Sequence, residues 1–275
     1  MTADVKRISV DEARAFLDRT RLNRRTVLDV RQDHEYQTGH LPGAKWIPLP
    51  DLDERAGEID PDLPVLTYCR SGARSLAAAN LLAGKGFAEV LSLDGGIMAW
   101  NGARALGPRA LGFSVFPASL TPALLLERAW AMELALEHFY AGLARKAKEP
   151  DLAALYARLA GFEVAHRRVL AESWSRLDGG DVAAFEARGR AAVEPGLLEG
   201  GVSGGEYLGL GGAPRDAGEA LELAMSIEAQ ALDLYSRRAA VEQDADLRRA
   251  LLALAAEENA HLKVLGAFVD GRGGF

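Results

Sequence analysis

The chain has 275 residues and a mass of 29.4 kDa, a length that favours two domains over one. Its composition, 49% hydrophobic and 26% charged, is typical of a folded globular protein and excludes wholesale disorder. A net charge of -7 leaves no basic field for nucleic acid. No apolar run approaches the about 20 residues of a membrane span, and the first residues lack an apolar signal segment. We therefore expect a cytoplasmic protein without a nucleic-acid or membrane partner.

A single cysteine, Cys69, limits the chemistry further. One cysteine excludes intrachain disulfides, four-cysteine metal sites and CxxC redox pairs. If Cys69 reacts, it reacts alone.

Residues 1–107 alternate short β-branched runs with helical stretches. This rhythm predicts an α/β domain, with a mainly parallel sheet and helices on both faces. The predicted strands lie at 6–9, 26–30, 45–49, 64–68 and 89–93, and the predicted helices at 11–19 and 75–85.

Residues 108–120 are rich in glycine and proline and predict a linker. From 121 to 275 the sequence predicts an all-α four-helix bundle with helices at about 122–147, 151–176, 216–241 and 244–270. The long connection over 177–217 indicates a crossover from one end of the bundle to the other. Nine glycines between 196 and 218 leave two possibilities open, an ordered crossover and a mobile flap.

Cys69 stands between an apolar strand, VLTY, and the loop RSGARS that leads into a helix. A loop followed by a helix N-terminus directs several backbone amides at one point, which binds anions and lowers the pKa of a thiol. Arg70 and Arg74 add positive charge. The alternative is a buried cysteine that packs as a small hydrophobic residue, but two arginines flanking Gly72 favour a reactive thiolate.

Four motifs of this half occur in the order and spacing of a single-domain rhodanese. They are LDVR (28–31), GHLPGA (39–44), CRSGAR (69–74) and DGGIMAW (94–100). The resemblance implies a sulfurtransferase in which Cys69 takes sulfane sulfur from a small sulfur-containing anion such as thiosulfate, becomes a persulfide, and passes the outer sulfur to an acceptor. Cyanide, a small thiol or a protein cysteine would serve as that acceptor.

The same resemblance assigns roles around Cys69. It implies that Asp29 and Arg31 orient the loop. It also implies that the loop binds the substrate anion through Arg70, Ser71, Gly72, Ala73 and Arg74. A cysteine phosphatase is the nearest rival, but its arginine comes six residues after the cysteine, where this chain has Ser75. The shorter loop favours sulfur over phosphate.

The helical half contains an internal repeat. Four residues recur 95 positions later: Glu133, Tyr140, Glu163 and His166 return as Glu228, Tyr235, Glu258 and His261. Residues three apart share a helix face, so each ExxH pair can direct an oxygen and a nitrogen at one point. One Glu from each of two helices and ExxH from each of the other two is the ligand pattern of ferritin-like dinuclear proteins.

The repeat therefore predicts a site for two iron or two manganese ions. The predicted metal ligands are Glu133, Glu163, His166, Glu228, Glu258 and His261. We interpret Tyr140 and Tyr235 as packing or hydrogen-bonding residues beside the metals, and Glu137, His138 and Glu257 as outer or surface residues. The alternative is a bundle with incidental glutamates and no metal.

Residues 120–270 resemble the rubrerythrin branch of the ferritin-like family, through AMELALEHFY (131–140) and AMSIEAQALDLY (224–235). The resemblance implies a di-iron centre with a peroxide or oxygen redox role, and a homodimer. An additional carboxylate of that family, one turn after the third-helix Glu228, would fall at Ala231, a departure that argues against the family's peroxide-responsive iron movement in this chain. The four cysteines of a rubredoxin module are absent, so electrons must come from an external donor.

These observations predict a rhodanese-type sulfurtransferase fused to a dinuclear metal bundle. The alternative function is an iron-binding or oxidative-stress protein whose rhodanese-like half serves as a sulfur sensor or docking module.

Overall fold

The computed structural model describes residues 5–116, 119–178, 180–194 and 196–269. Parts of the predicted linker (117 and 118), of the predicted crossover (179 and 195) and of both predicted domain ends lie outside the described residues. The chain divides into two compact units, Met1–Arg109 and Ala110–Phe275. Within the described ranges, no helix combines the length and the apolar character needed to cross a bilayer.

The first unit is built on a five-stranded sheet. The strands are β1 (Val5–Ile8), β2 (Thr26–Asp29), β3 (Lys45–Trp46), β4 (Val65–Tyr68) and β5 (Val90–Leu93). They run in the order β1-β5-β4-β2-β3, and every neighbouring pair is parallel. The predicted parallel sheet is confirmed. Because the strands are parallel, their carboxyl-terminal ends all lie at the same edge of the sheet.

Helices cover both faces of this sheet. They are α1 (Val10–Arg19), α2 (Asp33–Gln37), α3 (Leu52–Arg55), α4 (Ala73–Gly84) and α5 (Gly96–Ala99). Strand β4 shows how the two cores form, because Val65 packs with α4 on one face while Leu66 and Tyr68 pack with α1 on the other. The α/β class and the two covered faces are therefore confirmed; the three short helices α2, α3 and α5 were not predicted.

A glycine turn at the end of β5 supports the segment that follows β4. The amides of Ile97 and Met98 donate to the carbonyl oxygens of Cys69 and Arg70, at 2.8 and 3.1 Å. Gly96 has φ +58°, and a Cβ atom there would lie 2.4 Å from the Cys69 carbonyl oxygen. The approach is so close that only glycine fits.

The second unit contains the four predicted long helices. They are α6 (Pro122–Lys146), α7 (Pro150–Asp178), α10 (Ala217–Val241) and α11 (Ala245–Val269). Helix α6 begins as its sequence predicts, because the Thr121 side chain accepts from the Leu124 amide at 3.2 Å and Pro122 occupies the first turn. Helix α6 packs mainly on α7, and α10 on α11, so the two sequence repeats form two helical hairpins.

The connection between the hairpins carries two further helices, α8 (Val182–Ala191) and α9 (Gly204–Gly211), which were not predicted. Fully buried Phe185 anchors α8 by stacking on Trp174 at 4.9 Å between ring centroids. Before α9, a 3₁₀ turn at Glu199–Gly201 is closed by a hydrogen bond from the Leu198 amide to the Val202 carbonyl, 3.0 Å. The described part of the connection thus contains regular structure, as an ordered crossover requires.

Substituting Gly96 tests the support of the Cys69 segment. We expect Gly96→Ala to lower the free energy of unfolding by about 1–3 kcal/mol, because the new Cβ collides with the backbone and the left-handed φ strains alanine. Urea denaturation followed by tryptophan fluorescence measures the change. Gly84→Ala is the control, because nothing lies within 4 Å of its Cβ position and we expect a change below about 1 kcal/mol. Equal effects at both positions would contradict this account.

Candidate functional sites

Cys69 lies at the carboxyl-terminal end of β4, where the chain turns into α4. Its side chain is 1% exposed, and its Sγ accepts a hydrogen bond from the Gly72 amide at 3.1 Å. Burial by itself would raise the pKa of the thiol, but hydrogen bonds from Ser75, Gly72 and Ser71 outweigh it and lower the pKa below its usual value. The site therefore favours a thiolate over a buried inert thiol.

The loop residues predicted to bind substrate surround this sulfur. Arg70, Ser71 and Ala73 are exposed at the rim, whereas Gly72 and Arg74 are half-buried. Gly72 has φ +102°, and its Cβ position lies 3.3 Å from the Gly95 amide nitrogen. A left-handed glycine at this point lets the loop curl around the sulfur.

The two loop arginines are not equivalent. Arg74 makes a two-pronged ion pair with Glu35, with both N–O distances 2.7 Å. A hydrogen bond from Arg74 holds the pKa of Glu35 at about 2. Arg70, by contrast, makes no ion pair with any described residue. Glu35 belongs to the site but was not predicted. It lies 39 residues before Arg74 in the sequence, and its local pattern indicates only the start of a helix.

Asp29 and Arg31 form a buried ion pair, 0% and 4% exposed, with an Nη2–Oδ2 distance of 2.6 Å. Arg31 also donates to the Gly39 carbonyl at 2.7 Å, so the pair holds the segment after α2 in place. Arg31 lies 5.5 Å over the ring of Tyr68, the residue before Cys69. The pair thus contacts the residue next to Cys69, and its role in orienting the loop stays a prediction.

The six predicted metal-ligating residues of the bundle fall into two matching groups. One ligand atom from each of Glu133, Glu163 and His166 lies within 4.8 Å of the other two, and the same holds for Glu228, Glu258 and His261. Each group takes residues from both helices of one hairpin. The arrangement could hold one cation per group.

The two groups meet across the bundle core. His166 and His261 stack with 3.6 Å between ring centroids and 6° between ring planes. His166 Nδ1 lies 2.9 Å from Glu163 Oε2, and His261 Nδ1 lies 3.1 Å from Glu258 Oε2. The i, i+3 spacing thus brings each imidazole to its own carboxylate, as the sequence predicts.

A seventh residue, Glu199 of the crossover, joins this cluster and was not predicted. It is 1% exposed, and one of its oxygens lies within 4.8 Å of oxygens from Glu133 and Glu258. Its Oε1 accepts a hydrogen bond from the Tyr235 hydroxyl at 2.8 Å. No repeat or motif marks Glu199, because the crossover has no counterpart in the other hairpin.

Burial and mutual repulsion raise the pKa of four of the five buried carboxylates, whereas for Glu228 burial is outweighed by hydrogen bonds from His261 and Glu258, which lower its pKa. Burial, followed by the neighbouring carboxylates, holds the pKa of Glu163, Glu199 and Glu258 well above the usual range. The same causes raise the pKa of Glu133. Protonation relieves this repulsion in the protein alone, and a bound cation would relieve it by replacing the protons.

The remaining predicted residues lie where their assignments place them. Tyr140 and Tyr235 are fully buried beside the carboxylates, and the Tyr140 hydroxyl has no hydrogen-bond partner within the described part of the chain. Glu137 pairs with Arg167 at the edge of the cluster, and His138 is exposed. Burial raises the pKa of half-buried Glu257.

Comparisons with known proteins divide the chain in the same way. The family described as Rhodanese-like domain matches residues 9–103, and the family described as Rubrerythrin matches residues 125–269. A thiosulfate sulfurtransferase, GlpE of Ectopseudomonas mendocina, is 36% identical over 99 residues, which cover 36% of this chain and 87% of that protein. Uncharacterized protein YqhL of Bacillus subtilis is 38% identical over 98 residues, 36% of this chain and 74% of that protein.

Among solved structures, the crystal structure of a rhodanese-like domain protein from Staphylococcus aureus is 27% identical, with a TM-score of 0.33, and covers 35% of this chain and 91% of that chain. The two family matches account for both units that the fold separates. The chain belongs to the rhodanese-like family through its α/β unit and to the rubrerythrin family through its helical bundle.

Proposed function

We propose that the α/β unit transfers sulfane sulfur through a persulfide on Cys69. The observation that carries this proposal is the lowered pKa of a cysteine cradled by backbone amides at the end of a parallel strand. The similarity to thiosulfate sulfurtransferases supports thiosulfate as a donor.

The transfer takes two steps. The Cys69 thiolate attacks the outer sulfur of thiosulfate, a Cys69 S–S bond forms, and the S–S bond of thiosulfate breaks to release sulfite with the electron pair. Cyanide or a thiolate then attacks the outer sulfur of the persulfide, and Cys69 leaves as a thiolate again. Because the chain has no second cysteine, the acceptor is another molecule or another chain.

Charge around the loop suits an anionic donor. The amides of residues 70–74 would hold the donor and the persulfide anion, since neutral N–H groups stabilise an anion without a counterion of their own. Arg74 already shares its charge with Glu35, so exposed Arg70 is the cation that would meet the incoming donor. Arg74 would instead fix the curvature of the loop.

We further propose that the bundle binds two iron or manganese ions through Glu133, Glu163, His166, Glu228, Glu258 and His261. Buried carboxylate oxygens and imidazoles are the donor set that such ions prefer. The residues present fit two cations, because the oxygen Oε2 of Glu133 is buried without a hydrogen-bond partner among the described residues and the carboxylates repel one another. Bound iron would supply one-electron redox chemistry.

A redox role for the bundle rests on its family membership and on this donor set. We propose peroxide as the oxidant: its O–O bond breaks as it takes up two electrons and two protons to give two water molecules. An external electron donor would supply the two electrons, because this chain lacks rubredoxin cysteines. Within the chain, the bundle encloses the site and excludes water from its carboxylates.

Sulfur transfer from thiosulfate to cyanide tests the first proposal. We expect thiocyanate formation by the wild type and its loss in Cys69→Ala, because the alanine variant cannot form the persulfide. Mass spectrometry after thiosulfate alone should show one added sulfur atom on the wild-type chain. Indistinguishable rates in the two proteins would instead favour a sensor or docking role for this unit.

The pH dependence of Cys69 tests its environment. A lowered pKa means that thiolate, and hence alkylation by iodoacetamide, appears at a lower pH than for an ordinary cysteine. We expect Ser75→Ala to move the midpoint of the rate–pH curve upward, because a hydrogen bond that stabilises the thiolate is lost. Ser71→Ala is the matched control, since only the amide of Ser71 reaches the sulfur. An unchanged midpoint in Ser75→Ala would contradict the assignment.

Metal content tests the second proposal. We expect about two iron or manganese ions per chain in protein produced in supplemented medium, and their loss in Glu163→Ala/Glu258→Ala. Elemental analysis measures both, and Glu172→Ala/Glu222→Ala is the control with the same change of charge outside the cluster. Cyanide sulfurtransfer should be unaffected in the metal-free variant. Absence of metal from the wild type would reduce the bundle to a scaffold.

A further inference from the structure

The carboxylate of Glu199 reaches the centre of the bundle from outside the four long helices. Its oxygen forms a third ligand group with one oxygen each from Glu133 and Glu258, all within 4.8 Å. These two partners belong to different hairpins. Glu199 therefore lies over both halves of the site rather than at the edge of one.

An unpartnered atom lies in the same cluster. Glu133 is 3% exposed, and its Oε2 makes no hydrogen bond to any described residue. The nearest imidazole nitrogen, His166 Nδ1, is 3.5 Å away without the alignment of a hydrogen bond. A buried acceptor without a donor is costly, and a cation shared with Glu199 would satisfy it.

The crossover holds Glu199 in one position. Tyr235 donates to Glu199 Oε1 at 2.8 Å. The next two residues, Gly200 and Gly201, have φ of +82° and +76°, and their Cβ positions lie 2.7 Å from Gln230 Cγ and 2.5 Å from Gly112 Cα. A turn packed this closely fixes the direction of the side chain before it.

Helix α10 contributes one carboxylate to the cluster, that of Glu228. The residue one turn further on is Ala231, which is fully buried and carries no ligand atom. The crossover thus supplies a further carboxylate where α10 has Ala231 instead of a second one.

From these placements we propose that Glu199 is a seventh protein ligand, bound to the metal ion that Glu133, Glu163 and His166 hold. The inference deepens the proposed metal-binding function and rests on it. Binding of this ion would then tie the crossover to the two hairpins, because the ligand and the Gly200–Gly201 turn belong to one segment.

The test uses the full chain, freed of metal and titrated with Mn²⁺ by calorimetry. We expect Glu199→Gln to weaken one of the two equivalents by about 10–100-fold, a loss typical of changes around metal ligands, and to leave the other equivalent within about twofold. Glu194→Gln is the matched control, because Glu194 lies on the same crossover but is exposed. It should bind both equivalents as the wild type does.

Thermal unfolding separates a ligand from a structural residue. Glutamine keeps an acceptor for Tyr235 and has nearly the size of glutamate, so we expect metal-free Glu199→Gln to melt no lower than the wild type and to gain less from Mn²⁺. Glu199→Asp keeps a carboxylate on a shorter side chain, so it should fold and show an intermediate loss of Mn²⁺ affinity.

Two outcomes would overturn the inference and leave the six-ligand site unaffected. The first is wild-type Mn²⁺ affinity in both Glu199 variants. The second is a Glu199→Gln variant that melts lower than the wild type without metal but is stabilised by Mn²⁺ as much as the wild type is. A wild type that binds no Mn²⁺, iron or other transition metal would overturn the proposed metal function, and this inference with it.

Discussion

Burial of like charges is the constraint on which the helical unit depends. Five carboxylates between 1% and 4% exposed share its core, where water cannot screen them. Protons or cations must neutralise them for the bundle to stay closed. The tyrosines around them supply hydrogen bonds but no positive charge, whereas burial of His166 is outweighed by Glu133, which raises the pKa of that imidazole and so favours its charged form. The hydrophobic stripes of the four long helices therefore specify the bundle fold. The buried carboxylates add a separate requirement, which is a proton or a cation in the core to neutralise them.

The α/β unit handles charge in the opposite way. Its single reactive group becomes anionic at the surface end of a buried strand, and backbone dipoles stabilise the anion. Arg74, which also interacts with Cys69, shares its charge with Glu35. Backbone amides therefore supply much of the stabilisation of the thiolate. The Gly96 turn supports this arrangement, since its amides bond to the carbonyl oxygens of Cys69 and Arg70 and hold the start of the loop in place.

Local patterns predicted most of the fold and most of both sites. Strand composition predicted five parallel strands, and an offset of 95 residues predicted two equivalent hairpins with their Glu and ExxH ligands. What escaped prediction depends on contacts between distant segments. Glu35 meets Arg74 only because α2 lies beside the cysteine loop, and Glu199 reaches the core only because the crossover folds over α10. Helix α8 was missed because its sequence, VAAFEARGRA, has a single aromatic residue, Phe185, among small residues and so shows no clear apolar periodicity.

The stacked imidazoles have a consequence for the origin and behaviour of the bundle. His166 and His261 face each other nearly in register, as expected of a duplicated hairpin whose two copies are related by an approximate two-fold axis. A strictly duplicated site would present two identical positions. Glu199 belongs to neither copy, so it breaks the symmetry and makes the two positions chemically distinct. With Glu199 bound to one of them, the two positions of the repeat would hold a cation with different strength, although the repeat supplies the same three residue types to both.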